Sequence, residues 1–253
     1  MNPFLGPQSK INRALIHIKT LNDTVSGWRD SDPLPIVAKH FNSDKTAYIY
    51  RFQPKAVPID IGAIAGDAVH NMRSALDGIA WQYAFRIPPT QRSKGWEKDV
   101  QFPIFLSIDD AKSERKFKRM LKHFPDDVRD FVDSIQPYQA PKSEREHHPL
   151  WCLERLSIVD KHRAIPTFAA ITAIAMQPGW QQERFDNGAV EVTIPVVEEN
   201  FIPHAPQLRP FLYFGANEVI AYPFPVQDFS KIYDFIHDVV LPTLVGIFSQ
   251  LKE

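Results

Sequence analysis

The sequence predicts an α+β fold: an antiparallel bundle of about four long helices with a mostly antiparallel β-sheet inserted between its members. Three observations carry that expectation. Four stretches, at about 7–30, 59–86, 149–163 and 227–251, space their apolar residues as helices do. Three runs, at 166–177, 189–197 and 209–224, are rich in β-branched and aromatic residues instead. No strand–helix–strand rhythm links the two kinds of segment. Without an internal repeat, a low-complexity tract or a clean linker, residues 1–253 read as one domain, long enough to bury a sizeable core.

Each element has its own local reason. Ile11, Leu15, Ile18 and Leu21 make one helical face, and Asp32-Pro33 stops that helix. The runs 35–41 and 46–52 flank the turn-prone Asn42-Ser43-Asp44-Lys45, which predicts a hairpin. Pro54 and Pro58 lead into the long helix of 59–86, and Pro88-Pro89 end it. A loop with Gly95 and Trp96 then runs into VQFPIF at 100–105. Ser107, with Asp110 three residues on, predicts the N-cap of a helix over about 108–123. A shorter helix over about 125–135 stops at Gln136-Pro137-Tyr138. Pro149 at a first helical position opens the helix of 149–163. Asp186-Asn187-Gly188 predicts a turn between strands, and Pro242 a kink in the last helix.

Bulk composition bounds the function. The chain is 44% hydrophobic and 23% charged, ordinary for a globular protein. A formal charge of −1 leaves no global basic footprint for nucleic acid. The single cysteine, Cys152, excludes an intramolecular disulfide, and between Trp151 and Leu153 it reads as a buried, inert thiol. The N-terminus MNPFLGPQSKINRALIHIK lacks the unbroken apolar core of a signal peptide. The most apolar run, AIPTFAAITAIAM at 164–176, is too short to span a bilayer. The expectation is a cytoplasmic protein that binds no membrane. The phosphate-binding, nucleophile-elbow and zinc-protease motifs are missing, and His147-His148 diverge on a helix, so neither metal nor cofactor is expected. The pairs Asp109-Asp110 and Asp126-Asp127 sit at helix starts, where they complement the macrodipole.

Two polar stripes and one basic face stand out. In GDAVHNMRSALDGIAWQ, residues 66–82, Gly66, His70, Arg73, Ser74, Asp77 and Trp81 lie within about 100° of helical arc. Arg73 and Asp77 are i,i+4 partners, as are His70 and Ser74. The stretch has no Lys and no Glu, the residues that usually solvate a helix, so this face is expected to meet protein. A structural network of His70, Asn71, Arg73, Asp77, Asp160, Lys161 and Arg163 is one reading; a site in the crevice is the other. In HPLWCLERLSIVDKHRAI, residues 148–165, Arg155 and His162 project within about 20° of each other. A histidine can move protons and an arginine can hold a phosphate, so this pair is the candidate catalytic constellation for metal-free RNA cleavage. The third feature is the basic side of 108–123, where Lys112, Arg115, Lys116, Arg119 and Lys122 are polyanion-binding candidates opposite Phe117 and Leu121.

GDAVHNMRSALDGIAWQ, QFPIF, SIQPYQ and HPLWCLERLSIVDKHRAI, in this order, resemble a widespread bacterial family spelled approximately GDxxHNLRSALDHLAWQ, FPIF, LQPY and LxxLxxIDKHR. The resemblance covers about residues 60–165 and brings no activity with it. The chain departs from it at Gly78, where the pattern has His. The Arg155-to-His162 spacing also resembles the HEPN superfamily of helical-bundle proteins, many of them metal-independent ribonucleases that work as dimers. Many of those motifs place a polar residue directly after the Arg; this chain has Leu156. That resemblance implies a homodimer and RNA as partner. Between the two, the sequence favours a non-catalytic binding or structural module, with the ribonuclease as the alternative.

Overall fold

The structure is a computed structural model that describes residues 2–92, 94–162, 165, 167–173, 181–185, 189–196, 208–214 and 224–251. It is an α+β fold. Helix α1, Leu5–Asp30, buries Pro7, Ile11, Ala14, Ile18, Leu21, Val25 and Trp28. The spacing alternates four and three residues, so the buried seam runs straight along the helix. Leu15 is only half-buried, and Ala14 takes the place expected of it. Helix α2, Ile59–Phe85, packs most extensively against α1. Pro7 of α1 lies against Gly78, while His17 faces Asp67 and the Trp28 indole N–H donates to the Ala56 carbonyl at 3.3 Å. The two helices are therefore antiparallel.

The short helices α3, Ala111–Leu121, and α4, Asp126–Ser134, precede α5, Pro149–His162. Asp110, not Ser107, caps α3: its Oδ1 accepts from the amides of Lys112 and Ser113, both at 2.9 Å. Ser107 instead accepts from the amide of Asp109 in a local turn. Helix α5 runs antiparallel to α2, with Ile165 beside Gly62, Asp160 beside Gly66 and Glu154 beside Arg73. The chain closes with α6, Gln227–Asp234, a π-helical turn, Phe235–Val240, and α7, Leu241–Gln250. The expected kink at Pro242 takes the form of that wide turn. Proline lacks an N–H and its ring crowds the carbonyl four residues back, and a π turn relieves both.

This last helical stretch, Gln227–Gln250, contains an 18-residue window of mean hydropathy 1.4 and is the one described segment long and apolar enough to cross a membrane. It sends Phe229, Ile232, Ile236, Val240, Leu241 and Leu244 into the bundle core. His148 meets Phe235, and Tyr83 of α2 reaches Leu244 and Phe248. The four long members thus alternate in direction around one core.

Two antiparallel sheets flank this bundle. Strands β1, Ile36–Phe41, and β2, Ala47–Phe52, form the expected hairpin, irregular between Ile36 and Ala38. With β4, Gln181–Arg184, and β5, Val190–Pro195, they give the order β1-β2-β5-β4. Strand β4 is polar and lies at an edge, so no hydrophobic run announces it. The other sheet orders β3, Thr167–Ala173, β6, Leu208–Phe214, and β7, Phe224–Pro225. The single run expected over 209–224 is thus two strands. The Asp186-Asn187-Gly188 turn lies outside the described residues.

Candidate functional site

The polar face of α2 does meet protein, and the Arg73–Asp77 pair its sequence suggests is part of that contact. Arg73 is buried, and its Nη2 donates to the Phe102 carbonyl at 2.9 Å and lies 3.0 Å from Asp77 Oδ1. Its Nη1 stands 3.2 Å from Glu154 Oε2 of α5, an ion-pair contact without hydrogen-bond alignment. Asp77 Oδ1 in turn accepts from the Phe102 amide at 3.0 Å. Glu154, which the expected network did not include, is the α5 carboxylate that Arg73 meets. A charge taken from water needs a partner, and Glu154 supplies the one on the facing helix.

The segment gripped this way, Phe102 to Phe105, is held from its other side as well. Gln136 is buried, accepts from the Phe105 amide and donates to the carbonyls of Pro103 and Val132, each at 3.0 Å. Pro103 has no N–H, and the segment belongs to no strand, so its backbone groups depend on side chains. HNMRSALD, QFPIF, SIQPYQ and LERL therefore converge on one stretch of backbone.

The remaining members of the expected network are dispersed. Asn71 is buried but donates to the Asp67 carbonyl of its own helix at 2.8 Å. His70 is exposed, 3.4 Å from Ser74. Asp160 sits over Gly66, where a methyl group would overlap its carboxylate. Burial raises the Asp160 carboxyl above its usual range, and His70 opposes that rise. Lys161 is exposed, and Arg163 lies outside the described residues. Of the candidate catalytic pair, Arg155 is half-buried with its guanidinium 5.6 Å from the Trp151 ring centre. The His162 side chain lies outside the described residues. Cys152 is buried, and burial, then Asp228, pushes its thiol up to about 12, as expected of an inert thiol.

The basic face of α3 is divided. Arg119 and Lys122 reach Asp99 at 3.0 and 3.7 Å, while Lys112, Arg115 and Lys116 are exposed. Its buried side holds Phe117 and Met120, with Leu121 half-buried.

An open cavity of about 600 Å³ lies at the other end of α2, and no motif pointed to it. Tyr83 and Arg86 come from the end of α2, and Ile87, Pro88, Arg92 and Trp96 from the turns beyond. Lys122, His123, Phe124 and Pro125 come from the α3–α4 turn, Arg129 from α4, and Leu251 from the chain after α7. Four of these are Arg or Lys and none is Asp or Glu. The Arg92 Nε and Nη2 donate to the carbonyls of Ile87 and Phe85 at 2.8 and 2.7 Å, and its guanidinium lies 4.6 Å from the Trp96 ring centre. Arg86 lies over Phe248 at 4.7 Å. For Arg92, the two carbonyls and the ring orient the guanidinium without cancelling its charge. Arg129 donates to the Leu121 carbonyl at 3.1 Å and to Asp126 at 2.9 Å. His123 is buried, and burial, then repulsion from Lys122, depresses its imidazole below 6.5 against the pull of Asp99. Arg86, Arg92, His123 and Arg129 occupy four separate segments, so only the fold gathers them.

Against protein-family models, curated proteins and solved structures, the chain has no match. No group of three or more His, Cys, Asp or Glu side chains suited to a metal occurs among the described residues.

Proposed function

We propose that the chain is a non-catalytic binding module in which the contact between α2 and α5 is scaffold and the cavity at the far end of α2 is the binding site. The observation that carries the reading is the use made of Arg73, Asp77 and Gln136. Arg73 and Asp77 bond the backbone of Phe102, and Gln136 bonds that of Pro103 and Phe105 as well as Val132, so their hydrogen bonds serve the protein's own backbone. The cavity instead presents Arg92, ordered by two carbonyls and the Trp96 ring. A volume near 600 Å³ with a few convergent polar groups is the size and character of a small-molecule site.

The scaffold reading is tested with Arg73→Ala. Removing the guanidinium strands the Phe102 carbonyl and two carboxylates, though Asp77 and Glu154 keep some water. A loss of about 2–4 kcal/mol in urea unfolding is expected. Unaltered stability would count against it. The ribonuclease alternative is tested alongside by incubating the full chain with single-stranded RNA. Intact RNA is expected; cleavage abolished by Arg155→Ala or His162→Ala would replace the binding module with a HEPN-like enzyme.

A further inference from the structure

We infer that the cavity takes a small phosphorylated organic molecule, with the phosphate among its cations and an apolar body against its aromatic wall. The inference rests on the binding-module reading and adds the ligand class.

Charge is the first argument. The whole chain carries a formal charge of −1, yet the cavity lining holds four cations and no carboxylate. Asp126 balances Arg129 and Asp99 loosely balances Lys122 from outside the lining. Arg92 is held by carbonyls and a ring and keeps its charge, so the cavity favours an anion over a neutral or cationic ligand. Geometry is the second. Arg92 is fixed by two carbonyl hydrogen bonds, which engage Nε and Nη2 and leave its Nη1 edge. Two-point fixing pre-orients a donor so that little freedom is lost on binding, and guanidinium donors match the oxygens of a phosphate. Lys122 is the flexible member, exposed and loosely paired at 3.7 Å, able to turn from Asp99 toward an anion.

Size is the third argument. A cavity of about 600 Å³ is several times larger than a phosphate ion needs. The rest of its wall is Trp96, Phe124, Ile87, Pro88 and Leu251, which favours a flat or apolar body. The basic face of α3 reaches the cavity through Lys122, but Lys112, Arg115 and Lys116 are exposed and do not line it. A polymeric anion would use that face; a small phosphorylated molecule does not need it.

The test is calorimetric titration of the full chain at fixed ionic strength with 1-naphthyl phosphate, inorganic phosphate, 1-naphthol and an unphosphorylated decauridylate. Saturable binding of naphthyl phosphate is expected, at least tenfold tighter than that of inorganic phosphate, with none for naphthol. Arg92→Gln combined with Lys122→Gln should weaken it at least tenfold, while Lys112→Gln combined with Lys116→Gln leaves it unchanged. If the double cavity variant fails to fold, Lys122→Gln alone, at an exposed position, serves, with at least a threefold loss expected. Absence of saturable naphthyl phosphate binding overturns the inference, as does binding indifferent to the cavity variants. Tight decauridylate binding lost in the Lys112/Lys116 variant, without binding of naphthyl phosphate, overturns it in favour of a polyanion on α3. RNA cleavage dependent on Arg155 would sink the binding-module reading, whereas intact RNA with no naphthyl phosphate binding sinks the ligand class alone.

Discussion

His123 and His148 are imidazoles that the fold holds neutral. His123 is depressed below 6.5 by burial first and then by Lys122, with Asp99 opposing; His148 is depressed by burial. The Nδ1 of His148 also accepts from the Leu150 amide at 3.3 Å, a bond that protonation removes. Because the unfolded chain binds these protons at higher pH than the folded one, stability falls as pH drops through about 6.5. The loss levels off once the pH passes below the depressed folded values. Asp160 acts oppositely nearer the carboxylate range, since its raised pKa adds stability as pH falls there. The urea midpoint should therefore drop between pH 7.5 and 5.5, and His123→Gln with His148→Gln should flatten that slope. A double variant with the wild-type slope would refute the assignment. At this scale the sequence revealed little of the cavity. Arg73 and Asp77 were legible because they are i,i+4 neighbours, whereas nothing local marks Arg86, Arg92, His123 or Arg129 as companions. Glu154 was passed over for a similar reason, because its partner is on another helix.

Helix α2 is buried around most of its circumference, and two of its glycines admit α5 in different ways. A methyl on Gly62 would stand 2.6 Å from the Ile165 carbonyl oxygen, a backbone atom that cannot swing aside. A methyl on Gly66 would meet the end of the Asp160 side chain, which can rotate away. Alanine gains about 1 kcal/mol of helix propensity over glycine at either position. Overpacking against fixed backbone costs about 1–3 kcal/mol. Gly62→Ala should thus be destabilising, and Gly66→Ala near neutral, with paired urea titrations giving the order. Reversal of that order would mean that the α2–α5 contact is not set by the Ile165 backbone. The elements themselves were largely legible, because proline, turn residues and apolar spacing act locally. The starts of α1, α2 and α5 fall within two residues of expectation. Helix α3 began three residues late because Ser107 and Asp110 are both cap formers, and it is Asp110 that reaches two amides. The polar edge strand β4 escaped notice since it does not depend on hydrophobic pattern, whereas Pro242 marked the distortion that the π turn supplies.

The molecule has two hydrophobic cores of unequal size. The larger joins all four long helices to Leu212, Phe214 and Phe224 of the three-stranded sheet. An aromatic group of Phe4, Tyr83 and Phe248 closes one end of it, with ring centres 4.9 to 6.1 Å apart. The smaller is confined to Leu34, Tyr50, Phe52, Val190, Val192 and Ile194 around the four-stranded sheet. Strand β1 lies at the edge of that sheet, with Ile36, Val37 and Phe41 exposed. Beside the hairpin, Lys55 Nζ on the approach to α2 donates to the Ser31 carbonyl at the end of α1 at 2.7 Å. The sequence showed one continuous chain without a linker, and hydrophobic content alone cannot reveal that the burial is divided. Because protection scales with the burial that must be undone, the two cores should open separately. Native-state hydrogen exchange should show amides of β1 and β2 exchanging on the order of a hundredfold faster than those at the centre of α2. Added urea should then expose the sheet before the bundle. Equal protection across both would mean that the smaller core unfolds only with the larger, and that the sheet is an integral part of the cooperative unit.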